Sequence, residues 1–284
     1  RITTMRTDPG GKGINVSKVI DKLGGKSIAT GILGGDTGRA IQSALEAMGL
    51  ETDFRFVDGE TRTNLKIIDP VNHTNTDINE PGVTVSEAIL GDLLKELTGK
   101  LTEKDIVVLS GSLPKGAPKD TYGTWVKACR DTGAKVILDA DGDLLAAGLE
   151  AAPYMIKPNN HEISRLMGKT LKTPEELEQA AKELMDQYDI GKIVVSMGGD
   201  GALYVTKDGT IYAEGLKVPV GSTVGAGDSV VAALAVAEEA GMSLEETVRL
   251  STATGAANVM CSGTQAAEYE VIKDLIPKVV FRNL

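Results

Sequence analysis

Toward the C-terminal end of the 284-residue chain, Ser222-Thr223-Val224-Gly225-Ala226-Gly227-Asp228 runs straight into an apolar helical pattern over Ala226–Ala240. Small residues at 225–227 leave the first amides of that helix open, and such amides bind oxyanions. Asp228 falls in the first turn, beside the anion. Alone it reads equally well as an ordinary helix-terminal acid. Together the two features match what phosphoryl transfer requires: a carboxylate to take a hydroxyl proton, and amides to hold the moving charge. A second loop-to-helix junction is Pro9-Gly10-Gly11-Lys12-Gly13-Ile14-Asn15. It offers close backbone approach, a cation and a side-chain amide suited to sugar hydroxyls. Its spacing is not that of a Walker A loop, and a plain Gly-rich turn would have the same composition.

A third stretch is Lys157-Pro158-Asn159-Asn160-His161-Glu162. Asn159 and Glu162, three apart at a helix start, direct two oxygens toward one point. With water and phosphate they would suit Mg²⁺, which is rarely caged by protein alone; the same spacing is also that of a capping box. Arg62, Asn64 and Lys66 alternate in a strand-like run, so all three are expected on one face. In an acidic protein that face reads either as a site for a second anion, the substrate's own phosphate, or as a solvated strand face.

The elements that must position these residues alternate between β-branched runs ending in glycine and amphipathic helices. Ser27–Leu33, Asp105–Leu109, Tyr154–Ile156 and Lys192–Ser196 read as strands. Ile14–Leu23, Arg39–Met48, Ser86–Leu97, Asp120–Asp131, Thr173–Gln187, Ala226–Ala240 and Leu244–Met260 read as helices. The alternation predicts a parallel sheet covered on both faces. It breaks over Glu51–Asn79, where Asp53–Val57, Arg62–Ile68 and Thr74–Ile78 are separated by Asp58-Gly59 and Asp69-Pro70. That segment predicts a small, mostly antiparallel sheet serving as a lid, with an edge free to pair with a second subunit.

Composition narrows the function classes. Hydrophobic residues are 42% and charged residues 25% of the chain, a globular balance. Forty acidic against thirty basic residues, net charge −10, disfavour a nucleic-acid or anionic-membrane surface. The longest apolar run, Val230–Ala237, is far short of the ~18 residues that span a bilayer, and no signal-peptide pattern is present. Cys129 and Cys261 are too few and too far apart for a disulfide framework, and read as small buried hydrophobes of a reducing cytoplasm. The histidines, His73 and His161, have no partners at metal-ligand spacing. Ser110-Gly111-Ser112-Leu113-Pro114 is not a hydrolase elbow.

Taken together, STVGAGDS at 222–229, PGGKGIN at 9–15 and KPNNHE at 157–162 resemble the PfkB (ribokinase-like) carbohydrate kinase family, in order and spacing along nearly the whole chain. TRTNLKI at 61–67, Asn79-Glu80-Pro81-Gly82, SGSLPKG at 110–116 and Ser222 resemble its phosphosugar branch. The resemblance implies a three-layer α/β/α sandwich with a small β-sheet lid: residues 9–50 and 84–284 as the core, 1–8 and 51–83 as the lid. It implies ATP-dependent phosphorylation of the 6-hydroxyl of fructose 1-phosphate, with tagatose 6-phosphate or fructose 6-phosphate as alternative acceptors. An inactive sugar-phosphate- or nucleotide-binding protein is the non-enzyme alternative. By the same resemblance Asp228 is the base, with Gly225, Ala226 and Gly227 as the anion hole. Gly11, Lys12, Asn15, Arg62, Lys66 and Ser112 bind the sugar phosphate. Ser196, Gly198, Gly201, Thr223, Cys261 and Gly263 line the ATP site, while Asn159 and Glu162 organise Mg²⁺ through water. A cytoplasmic homodimer joined through the lid is expected. Members of the family open with an apolar strand and a sugar-binding Asp before the GGKG loop; that segment is expected to be missing here.

Overall fold

Strand Lys135–Asp139 shows how the sequence builds the layers. Val136 and Leu138 point into one apolar cluster and Ile137 into another, all fully buried. A strand apolar on both faces belongs in the middle of a helix-covered sheet. The computed structural model describes residues 5–69 and 74–284. Of the sequence-level expectations, residues 1–4 of the lid's first segment, His73 and the Pro70 half of the Asp69-Pro70 turn lie outside them.

In chain order the strands are β1 (Ile28–Gly34), β2 (Glu51–Val57), β3 (Asn64–Asp69), β4 (Thr74–Asn79), β5 (Ile106–Ser110), β6 (Lys135–Asp139), β7 (Met155–Ile156), β8 (Lys192–Ser196), β9 (Gly201–Thr206), β10 (Gly209–Glu214) and β11 (Phe281–Asn283). The helices are α1 (Lys12–Lys22), α2 (Gly35–Ala47), α3 (Glu87–Thr98), α4 (Thr121–Arg130), α5 (Gly142–Leu149), α6 (Asn160–Leu166), α7 (Pro174–Tyr188), α8 (Ala226–Glu239), α9 (Leu244–Val259) and α10 (Tyr269–Leu275). The main sheet has the order β11-β10-β9-β8-β7-β6-β5. Strands β5 to β8 are parallel, whereas β9, β10 and β11 are antiparallel additions at one side. The sheet is therefore mixed, a correction to the all-parallel expectation: the tight Lys207-Asp208 turn joins β9 to β10 as a hairpin, which needs no crossover helix. One face is covered by α1, α8, α9 and α10 and the other chiefly by α4, α6 and α7.

A second correction concerns the lid. Strand β2 pairs in parallel with β1, register Ile28↔Glu51, and so leaves the expected antiparallel unit. Only β3 and β4 form that unit, register Asn64↔Asn79. The β1–β2 pair stands apart from the main sheet. Between β1 and β5 runs a cleft of about 770 Å³, lined by apolar side chains of α1, α3, α4 and α8 and by both strand edges. Among the described residues, β1 pairs only with β2 and β5 only with β6. No helix of the described residues is long and apolar enough to cross a membrane.

The lid hangs from β1. The Gly34 amide donates to Thr61 Oγ1 at 2.8 Å and the Thr61 amide to the Gly34 carbonyl at 3.0 Å. Glu60 accepts from the Asp36 and Thr37 amides at the start of α2, at 3.1 and 3.2 Å. These backbone bonds hold the Glu60 carboxyl below its usual range.

Candidate active site

The starts of α1 and α8 converge at the ends of the parallel strands. Gly225 caps α8 at φ 80°, a left-handed conformation that glycine adopts freely. The helix geometry leaves the Gly227 and Asp228 amides without intrahelical acceptors. Asp228 follows in the first turn and is only 6% exposed. Its Oδ2 accepts a 2.8 Å hydrogen bond from Nδ2 of Asn15 on α1. Burial pushes this carboxyl above its ordinary range; the bond from Asn15 opposes that shift, and the neighbouring Asp139 charge adds to it. Asn15 Oδ1 and Ser110 Oγ are buried and have no partner among the described residues. Buried polar atoms are rarely left so, and these two have capacity to spare for a ligand.

Asp139, at the end of β6, is the electrostatic centre. Its carboxylate lies 3.1 Å from Lys12 Nζ and 3.2 Å from Lys157 Nζ, with Asp139 and Lys157 almost fully buried. Lys157 also underlies the α8 start, since a Cβ built on Gly227 would sit 3.5 Å from its Nζ. Asn258 Nδ2 stands at the same distance behind Gly225. A buried cation, open amides and a half-exposed Lys12 make this junction a receptor for anionic oxygens, with a buried carboxylate at its rim.

Across the cleft, Arg62 donates from Nη2 to Ser112 Oγ at 3.1 Å. Arg62 precedes β3 rather than standing in it, so it does not share a strand face with Asn64 and Lys66 as the alternation predicts. Lys66 instead lies 3.6 Å from Asp77, its partner across the hairpin. The structure thus brings Arg62 and Ser112 together and leaves Lys66 within the hairpin.

On the other side, Ser196 ends β8, Gly198 (φ 59°) begins a short 3₁₀ turn and Gly201 (φ 110°) begins β9. A Cβ on Gly201 would come 2.0 Å from the Ala213 carbonyl, so the position admits only glycine. The Gly221 and Ser222 amides both donate to the Val259 carbonyl, at 2.8 and 3.1 Å. This pins Thr223 and the α8 start to the loop that carries Cys261 and Gly263.

Asn159 and Glu162 form a complete capping box. Asn159 Oδ1 accepts from the His161 and Glu162 amides, and Glu162 Oε2 accepts from the Asn159 amide. The structural reading of that spacing is therefore realised. The Oε1 atom of Glu162 stays outside the box, and burial raises its carboxyl, helped by the nearby negative charges of Asp141 and Asp139. Among the described residues no group of three or more His, Cys, Asp or Glu forms a direct metal cage. A hard cation with most of its water retained fits this donor set, since all available atoms are oxygens in excess negative charge.

The profile of the pfkB family carbohydrate kinases matches residues 1–270. The chain belongs to this family. It is 37% identical over 276 residues to the 1-phosphofructokinase of Bacillus subtilis, covering 97% of this chain and 89% of that one. Among solved structures, phosphofructokinase-2 from Escherichia coli in complex with substrates and products superposes with TM-score 0.92 at 31% identity, covering 98% of this chain and 90% of that chain. The tetrameric inhibited form of the same protein superposes with TM-score 0.89, also at 31% identity and the same coverage. The ribokinase-like α/β architecture implied by the motifs is thus the architecture of the chain.

Three residues of this junction escaped the sequence reading. Asp139 looks like any acid at a strand end, Lys157 stands in its motif with no sequence signal for a role, and Asn258 lies deep in a helical pattern. The only local signal is the placing of Asp139 at the end of one apolar strand and of Lys157 just after another of the same sheet, where open α/β sheets gather their ligands.

Proposed function

We propose that this carbohydrate kinase transfers the γ-phosphoryl group of ATP to the 6-hydroxyl of fructose 1-phosphate, giving fructose 1,6-bisphosphate and ADP. The observation that carries the reading is the buried Asp228 at the open start of α8, bonded to Asn15 and backed by Lys157. The naming of the Bacillus subtilis relative supplies the acceptor.

In this reading Gly11, Lys12 and Asn15 hold the sugar, the free Oδ1 of Asn15 accepting one of its hydroxyls. Arg62 and Ser112 hold the phosphate already on the substrate. Asp228 takes the 6-hydroxyl proton late, because little charge builds on the nucleophile in a loose transition state. Amides at Gly225, Ala226 and Gly227 and the Lys157 ammonium hold the transferred group. Ser196, Gly198, Gly201, Thr223, Cys261 and Gly263 line the nucleotide. When bound with ATP, Mg²⁺ neutralises phosphate oxygens; Glu162 and Asn159 would hold its water shell.

The hairpin of β3 and β4 acts as the lid over the body formed by the main sheet and its helices. Leu65, Ile67 and Ile78 are half exposed on it, an apolar face suited to a second copy of the hairpin, so we assign a homodimer joined there. An ATP-consuming sugar-phosphate kinase works where ATP is, in the cytoplasm.

The test is ADP release with MgATP and, side by side, fructose 1-phosphate, fructose 6-phosphate and tagatose 6-phosphate. Turnover at least tenfold faster on fructose 1-phosphate is expected. Preference for either 6-phosphate would reassign the acceptor, and ATP binding without turnover on any would favour a binding protein.

A further inference from the structure

Helix α1 carries a lysine that the site does not account for. Lys18 lies one turn beyond Asn15 and on the same face. The residue is 8% exposed, and its ammonium reaches oxygens of two loops distant in sequence. It donates to the Pro9 carbonyl at 3.0 Å, to the Thr264 carbonyl at 2.7 Å, and lies 3.4 Å from Thr264 Oγ1. Pro9 opens the 9–15 loop on the sugar side. Thr264 follows Cys261 and Gly263 on the nucleotide side. The two loops also touch directly, for a Cβ on Gly263 would lie 2.8 Å from Asp8 Oδ2.

We propose that Lys18 is a positioning residue that couples the two substrate loops: one buried ammonium fixes the sugar-side and nucleotide-side backbone in a single arrangement, so each substrate binds better when the other loop is in place. This rests on the loop assignments of the proposed function.

A buried charge is retained only where hydrogen bonds replace its hydration, and here backbone oxygens from both loops do so. Removing the ammonium would leave two carbonyls without a donor and free both loops together. Burial lowers the Lys18 pKa to about 8. The charged groups facing it are Asp8 and Asp228, which favour the ammonium, and Arg6, which opposes it; Arg6 is itself paired with Asp8 at 2.6 Å. Above pH 8 the tie loses its charge. The linkage sign for stability is the opposite. A lysine whose folded pKa is depressed binds fewer protons folded than unfolded, so folding stability rises, not falls, between about 8 and its ordinary 10.5.

The experiment compares wild type, Lys18→Arg and Lys18→Met. Amide hydrogen exchange of the substrate-free proteins needs no assumption about the reaction. In Lys18→Met, segments 5–11 and 261–265 should both exchange at least tenfold faster, with β6 and β8 unchanged. Kinetics from pH 6.5 to 9.5 should show kcat/KM for both substrates falling through an apparent pKa near 8 in wild type with no fall in melting temperature over the same range. Lys18→Arg, which stays charged, should lack that limb. Lys18→Met should raise both KM values about tenfold with kcat within threefold. Faster exchange in only one loop, or an alkaline limb that persists in Lys18→Arg, overturns the proposal. If fructose 1-phosphate proves not to be the acceptor, the exchange arm still decides it, so the two failures are separable.

Discussion

Asp228 bears two opposed demands. Ionised and buried it can take a proton, yet burial disfavours that ionised form, so its carboxyl sits above the ordinary range. A raised carboxyl pKa means the folded state holds its proton more tightly than the unfolded one. The charged form therefore weakens the fold at neutral pH. Asp228→Asn should abolish nearly all turnover, at least a thousandfold in kcat, while ATP binding measured by calorimetry changes less than threefold. It should also raise the melting temperature, since the buried charge is removed. A variant with near-normal turnover would remove Asp228 from its role. The two lid cations separate in the same way. Arg62→Ala, which breaks the contact with Ser112, should raise KM for the sugar phosphate more than tenfold. Lys66→Ala, which removes only an exposed pair with Asp77, should change it less than twofold in steady-state assays.

At the scale of elements, α8 is held at both ends. Its start carries Asp228; its last turn carries Glu238, which accepts from Lys192 at 2.6 Å, from Tyr154 at 2.6 Å and from Lys135. Both lysines also lie over the Tyr154 ring, at 4.9 and 5.6 Å. These bonds overcome burial and hold the Glu238 carboxyl down at about 2. Its contribution is complete above the unfolded value near 4.5 and is lost as pH falls from there toward 2. Glu238→Gln should cost on the order of 2 kcal/mol by urea unfolding at pH 7 and much less at pH 2.5. An equal cost at both would show that charge is not what holds the helix. Most of the helices were legible because their signals are local: Thr173 and Glu176 form the box that starts α7 with Pro174 in its first turn, and Asn159 and Glu162 do the same for α6; the short α5 and α10, of eight and seven residues, were not. Partner choice was not. Nothing within Asp53–Val57 says that it pairs with Ile28–Gly34 rather than with Asn64–Asp69, and nothing in Arg62 says that the strand begins two residues later. Asp139 became visible as a hub only when Lys12 and Lys157, brought from opposite sides in sequence, were seen to share it.

Across the whole molecule, stability is unevenly spread. Strands β6 to β8 are paired on both sides and buried on both faces, whereas among the described residues β3 and β4 form a two-stranded sheet of their own. Amides of that hairpin should exchange with deuterium well before those of β6 and β8, even though all lie in regular strands. Equal protection throughout would mean that the hairpin is held as firmly as the core. The order of failure on heating follows from where the lid is attached. Because Gly34, Thr61 and Glu60 fasten the hairpin to β1 and the start of α2, the part that loosens first carries Arg62 away from Ser112. Warmed gradually, the protein should fall silent as a catalyst several degrees before its helices melt, and recover on cooling: a reversible, heat-tripped shutoff set by the few bonds that fasten the hairpin rather than by the core.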